Sequence, residues 1–200
     1  MDINAVAERL DSLPAEEQVE ILALLDELNA ARSRSVAHDD FLEFVKLVWP
    51  AFIEGNHHRT MADAFNRIAS GDLKRLIINM PPRHTKSEFA SHLFPAWYLG
   101  RFPDRKVIQT AHTAELAVGF GRKVRNLVGS PDYHNIFPDV SLSTDSKAAG
   151  RWNTNKNGDY FAIGVGGAVT GKGADILIVD DPHSEPVSYT HLTLPTIYSV

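Results

Sequence analysis

Two short stretches carry the side chains that could do chemistry. The first is Leu76–Ser87, LIINMPPRHTKS. A short apolar run ends in Asn79-Met80, and two prolines stiffen the turn that follows. Arg83-His84-Thr85-Lys86-Ser87 then leads into a predicted helix, Glu88–Leu99. Strand, tight loop, Lys-Ser and helix is the layout of a phosphate-binding loop. Backbone N–H groups at the helix start face an anion, the Lys neutralises terminal phosphate oxygens, and the hydroxyl reaches Mg²⁺. The consensus G-x-x-x-x-G-K-[ST] asks for glycine where Met80 and Thr85 stand. The same residues therefore also read as an ordinary strand-to-helix connection.

The second stretch is Ile176-Leu177-Ile178-Val179-Asp180-Asp181. Four apolar residues in a row, three of them β-branched, predict a strand buried on both faces. Two carboxylates stand at its C-terminal end, where open α/β sheets place their ligands. In a nucleotide site Asp180 would hold Mg²⁺ through water, and Asp181 would orient or activate the attacking water. Each stretch strengthens the reading of the other, and together they point to ATP hydrolysis. The adjacent His57-His58 offers less. Neighbours on a helix point about 100° apart, and neither histidine has a carboxylate three or four residues on. A contact to a ligand in a neighbouring cleft suits the pair better than metal ligation.

The elements around these stretches follow from apolar spacing. Helices are predicted over Ile3–Leu10 and Ala15–Ala31, the second with Ile21, Leu24, Leu25 and Leu28 on one face. That stripe reads as one side of a packed helical hairpin or as a partner-binding face. Arg32–Ala37 reads as a polar linker. Asp39–Trp49, capped by Asp39 or Asp40 and stopped by Pro50, and His57–Ala69, ended by Gly71, are predicted helices. Lys106–Thr110 is a strand and Thr113–Val128 a helix carrying Arg122, Lys123 and Arg125, either a solvated face or a contact to a DNA backbone. Arg151–Thr154 and Tyr160–Val165 flank an Asn-Gly turn and predict a hairpin. Gly164, Gly166, Gly167, Gly171 and Gly173 precede a strand and open no helix, so they suit close backbone approach near the site more than a second phosphate loop. The β-α-β-α order implies a mostly parallel α/β sheet.

Composition limits the alternatives. With 44% hydrophobic and 22% charged residues over 200 positions, the chain can bury one substantial core. A net charge of −5 gives no global signature for nucleic acid, so DNA contact would need a local basic patch. There is no Cys, which excludes disulfides and thiolate metal sites. No apolar run approaches the roughly 20 residues of a membrane span.

MPPRHTKS, EFASHLFPAWYLG, VIQTAHTAELAVGFGRKVRNLV and GGAVTGKGADILIVDDP resemble, in order and spacing, the large terminase subunit of tailed bacteriophages and prophages. The resemblance runs from about Asp39 to Pro186. It implies a RecA-like P-loop ATPase fold, three layers of α/β/α with a mostly parallel sheet, in which Walker A and Walker B elements bind ATP and Mg²⁺. It implies that Pro82, Arg83, His84, Thr85, Lys86 and Ser87 hold the nucleotide, with His58 near the adenine. Ser87 and Asp180 would serve the metal, and Lys86, Arg83 and Asp181 catalysis, Arg83 as an arginine finger. Asp181 stands where a Glu is usual, one methylene short for a base. The implied partners are dsDNA, a portal protein, the small terminase subunit and further copies in a ring, with no membrane, in the bacterial host cytoplasm. A helicase-like or other nucleic-acid-dependent ATPase, or a DNA-binding or assembly module with a decayed site, are the alternatives. The expected organisation is a helical segment and linker over residues 1–36, an incomplete ATPase domain over 37–187, and a non-native tail over 188–200. That tail carries no charged residue, and the family's coupling motif and nuclease domain are not expected within it.

Overall fold

The computed structural model describes residues 13–145, 148–167 and 171–183, and the backbone of 196–199. The helix expected over Ile3–Leu10 lies outside these residues, as does most of the expected tail.

Helix α1 (Ala15–Asp39) starts after Pro14, with Glu16 and Glu17 complementing its positive end. It runs straight through Arg32–Ala37, which the sequence reading made a linker. That segment holds no Gly or Pro to break a helix. Its end is also docked: Ala37 is fully buried, and its carbonyl accepts a hydrogen bond from Trp97 Nε1 at 3.1 Å. The other end is not docked on the described residues. Leu24, Leu25 and Leu28 of the expected stripe stay exposed, so no hairpin covers them among the described residues.

Asp40 then caps α2 (Phe41–Val48) by accepting from the Glu43 N–H at 3.0 Å. Its other oxygen accepts from Asn66 of α3 (Asn56–Ser70) at 2.8 Å, and Asn66 in turn accepts from the Phe41 N–H. The two helices are thus pinned end to side. Their apolar faces meet through Phe41 and Phe65, edge to face at 5.2 Å, and Phe65 stacks on Phe94 at 4.5 Å. Gly71, at φ +84°, ends α3 in the left-handed conformation that glycine adopts without strain.

Strand β1 (Arg75–Ile77) enters the loop. A π-helical turn (Glu88–Leu93) follows and continues as α4 (Phe94–Arg101). Pro95 has no N–H to give the Ser91 carbonyl, one reason the α-helical ladder is interrupted there. Next come β2 (Lys106–Ala111), α5 (Ala114–Val128), α6 (Pro131–Ile136), the hairpin β3 (Arg151–Asn153) and β4 (Asp159–Gly164), β5 (Ile176–Asp180) and β6 (Thr196–Ser199). The sheet order is β1-β6-β5-β2-β4-β3. β2 pairs parallel to β4 and β5, whereas β3 and β6 pair antiparallel to their neighbours. Four strands therefore share one direction, and the sheet is the mostly parallel α/β sheet the element order implied.

The register sets Val107, Tyr160 and Ile176 side by side; from there on alternate residues of β4 and β5 are buried, while central β2 is buried on both faces from Val107 to Ala111. On the opposite face Phe161, Ile163, Leu177 and Val179 are only half-buried. Strand β5 is thus buried on one face, not two, and a third layer of helices is not found among the described residues. None of the described helices is long and apolar enough to cross a membrane.

Candidate active site

The loop and β5 converge at the C-terminal end of the sheet. Lys86 Nζ lies 2.8 Å from Asp181 Oδ1 and 3.9 Å from Asp180 Oδ1. Ser87 Oγ donates to Asp180 Oδ1 at 3.2 Å, and Ser91 Oγ donates to Asp180 Oδ2 at 2.9 Å. Residues distant in sequence therefore form one cluster of cation, hydroxyls and carboxylates. Asp180 is buried, and that burial pushes its carboxyl above the usual carboxylate range despite the two serine donors. Asp181 is exposed, at φ +42°, and its carbonyl accepts from the His112 N–H at 3.2 Å.

The loop backbone accounts for the missing glycines. Thr85 sits at φ +61° and Arg83 at φ +65°, both left-handed. Thr85 occupies the second glycine position of the consensus, so the chain takes the glycine conformation without the glycine. Such a conformation costs a β-branched residue about 1–2 kcal/mol. Local hydrogen bonds offset it. His58 Nε2 and Thr85 Oγ1 are 2.7 Å apart, and Thr85 Oγ1 donates to the His84 carbonyl at 2.6 Å. The Gly55 N–H donates to His58 Nδ1 at 2.9 Å. With Nδ1 an acceptor, Nε2 carries the proton and donates to Thr85. Burial, with Phe52 and Phe89 against the ring, lowers the imidazole's pKa and keeps it neutral.

Both ring nitrogens of His58 are engaged by protein, which ties its helix to the loop. His57 lines the neighbouring cleft of about 320 Å³, together with Thr60, Met61, Leu76, Asn79 and Met80. That cleft is apolar with a few polar edges, the character of a base pocket. His84 Nδ1 donates to the Pro82 carbonyl at 2.9 Å, closing the loop on itself. Arg83 is exposed and, among the described residues, makes no hydrogen bond or ion pair, and it is not drawn onto the Lys86 cluster.

The donor set fits a hydrated Mg²⁺ with phosphate. A serine hydroxyl and carboxylates are hard oxygen donors, and no group of three or more His, Cys, Asp or Glu forms a metal cage among the described residues. Of the basic cluster on α5, Lys123 pairs with Glu88 at 3.0 Å, and Glu88 also meets His92 at 2.5 Å. These contacts, the His92 bond first, hold the Glu88 carboxyl down at about 2. Lys123 is thus engaged in holding the post-loop helix. Ser91 and Gln109, both fully buried beside Asp180, escaped the sequence reading. The signal for them was polar residues set inside two otherwise apolar runs, Ser91 with His92 in FASHLF and Gln109 with Thr110 in VIQTA.

No protein-family model matches the sequence, and no solved structure matches it. The chain is similar to the protein named "Terminase, large subunit" of Enterobacteria phage T3, at 27% identity over 145 residues. The match covers 71% of this chain and 25% of that protein, so the chain spans about a quarter of its relative's length.

Proposed function

We propose that this chain is the ATPase part of a phage large terminase, which couples ATP hydrolysis to the movement of dsDNA into a procapsid. The observation that carries the reading is the meeting of Lys86, Ser87, Asp180 and Asp181 over the sheet end, beside a loop whose Thr85 has the glycine conformation. The similarity to a protein named as a large terminase supports DNA packaging over helicase-like ATPases.

Backbone N–H groups from His84 to Ser87 would bind the β- and γ-phosphates of ATP, with the adenine in the cleft beside His57. Lys86 would exchange Asp181 for a phosphate oxygen and neutralise charge as the γ-phosphoryl group departs. Ser87 and Asp180 would hold Mg²⁺, which supplies further neutralisation of the phosphates when bound. Asp181, released from Lys86, would orient the attacking water and take its proton. Arg83, with no partner of its own among the described residues, would reach the γ-phosphate. The partners in this reading are dsDNA, a portal protein, a small terminase subunit and further copies of the chain in a ring, in the host cytoplasm.

Phosphate release from ATP, with and without dsDNA, tests the assignment. The unaltered chain is expected to turn over, Lys86→Ala to be inactive, and Asp181→Asn to bind ATP with turnover reduced by about 10²-fold or more. Retained turnover in Lys86→Ala refutes the loop assignment. A chain that binds DNA but not ATP favours the decayed module.

A further inference from the structure

Gln109 lies at the centre of the sheet, in β2 with Ile178 of β5 on one side and Ala162 of β4 on the other. It is fully buried. Its Nε2 donates to Ser91 Oγ at 3.3 Å, and Ser91 Oγ donates to Asp180 Oδ2 at 2.9 Å. Its Oε1 is buried with no hydrogen-bond partner. An orphaned buried oxygen is destabilising, so an apolar side chain of similar length would suit this position better for stability alone.

The direction of the chain explains what the amide does. A serine hydroxyl has one proton and rotates freely. Because Ser91 accepts from Gln109, its proton points to Asp180. With Oε1 turned toward Ser91 instead, amide oxygen and carboxylate would compete for that single proton. Asp180 Oδ2 is thereby held to the core side. Oδ1, shared by Ser87 and Lys86, is left as the oxygen that faces the loop. Three buried polar groups from the post-loop helix, β2 and β5 thus form one directed chain.

We propose that Gln109 is a positioning residue: acting through Ser91, it determines which oxygen of Asp180 is presented to a Mg²⁺-nucleotide. The proposal rests on the ATPase reading above for its ligand, and on the hydrogen-bond chain alone for its geometry.

The test is a double-mutant cycle on the full chain with Gln109→Met, Ser91→Ala and the pair, reading two quantities. The first is the affinity for ADP with and without Mg²⁺. Outer partners of a metal ligand are worth roughly 10–100-fold in metal affinity, so Gln109→Met is expected to weaken Mg²⁺-ADP about tenfold and leave Mg²⁺-free ADP unchanged. Ser91→Ala should do the same, and the pair should lose no more than one alone. The second quantity is the urea midpoint of the free chain. Gln109→Met should keep or raise it, since the orphaned oxygen is gone, whereas a residue serving structure only would lower it. The midpoints of the four proteins should be non-additive. Unchanged Mg²⁺-ADP affinity in Gln109→Met, equal loss with and without Mg²⁺, or additive losses overturn the proposal. If the unaltered chain binds no ADP, the ATPase reading fails on its own. The free-chain cycle then still decides the hydrogen-bond chain, and additive midpoints overturn it. Gln109→Glu gives a further check, because its carboxylate accepts the Ser91 proton. Its Mg²⁺-ADP affinity should fall below that of Gln109→Met, and an affinity at or above it overturns the directional argument.

Discussion

Replacing Thr85 by alanine and by glycine separates the two terms that hold the loop. Both changes delete Oγ1, so both lose the His58 contact at 2.7 Å and the bond to the His84 carbonyl. Both leave the buried His58 Nε2–H without its acceptor, a loss of about 1–3 kcal/mol. They differ in the backbone. Alanine at φ +61° keeps the left-handed strain of about 1–2 kcal/mol. Glycine removes the strain but adds about 0.5–1 kcal/mol of unfolded-state entropy. Thr85→Gly should therefore be more stable than Thr85→Ala by about 1 kcal/mol, the reverse of the order inside a helix. For a chain of this size that corresponds to roughly 2–4 °C in Tm. Urea and thermal unfolding of the free proteins, side by side, read the difference. If alanine is as stable as glycine or more so, Thr85 does not carry the glycine conformation of a phosphate loop, and the account of the missing consensus glycines is wrong.

Two other outcomes follow from the electrostatics of the site. Glu88 is held at about 2, below its ordinary value of 4.5, first by its bond to His92 and then by Lys123. Its folded pKa lies below its unfolded one, so its stabilising contribution is present above about pH 4.5 and is lost as pH falls toward 2. The unfolding midpoint of Glu88→Gln should trail the unaltered chain at pH 5–6 and converge with it by about pH 2–3. A gap that persists unchanged to the acid end would contradict the pairing. Asp180 is the opposite case, since burial raises its carboxyl and its charge opposes folding near neutrality. Asp180→Asn keeps the shape, with its amide nitrogen donating to one serine where the carboxylate accepted. It should unfold at the same or higher temperature than the unaltered chain at pH 7 while losing the Mg²⁺-dependent part of nucleotide binding. A clear drop in the free chain's Tm would mean that the ionised carboxylate stabilises the fold.

The pairing of Lys86 with Asp180 and Asp181 was legible from linear patterns, because a strand ending in carboxylates and a Lys-Ser opening a helix are short-range features. The hairpin of β3 and β4 was legible for the same reason, through its Asn-Gly turn. The conformation of Thr85 was not. A threonine reads as a mismatch to the glycine consensus until His58, from a different helix, is seen to hold it. The same contact ties His58 to the loop, and the sequence cannot show that both its nitrogens meet protein partners. Arg32–Ala37 misled because polar residues in a helix that projects from the body look like a linker. Leu177 and Val179 misled because an unbroken apolar run implies two covered faces, and the described residues cover one. Ser91 and Gln109 were hidden by their surroundings, each a polar letter in a mostly apolar run whose partner lies on another element.

The most direct measurement is the thermal shift given by Mg²⁺-ATP. A ligand at a hundredfold its Kd stabilises the folded state by about 2.7 kcal/mol, roughly 5–10 °C for a chain of this size. That shift is expected for the unaltered chain, a smaller one when Mg²⁺ is chelated, and none for Lys86→Ala folded to the same extent. No shift in the unaltered chain, or an equal shift in Lys86→Ala, would contradict the claim that Leu76–Ser87 and Asp180-Asp181 form a nucleotide site.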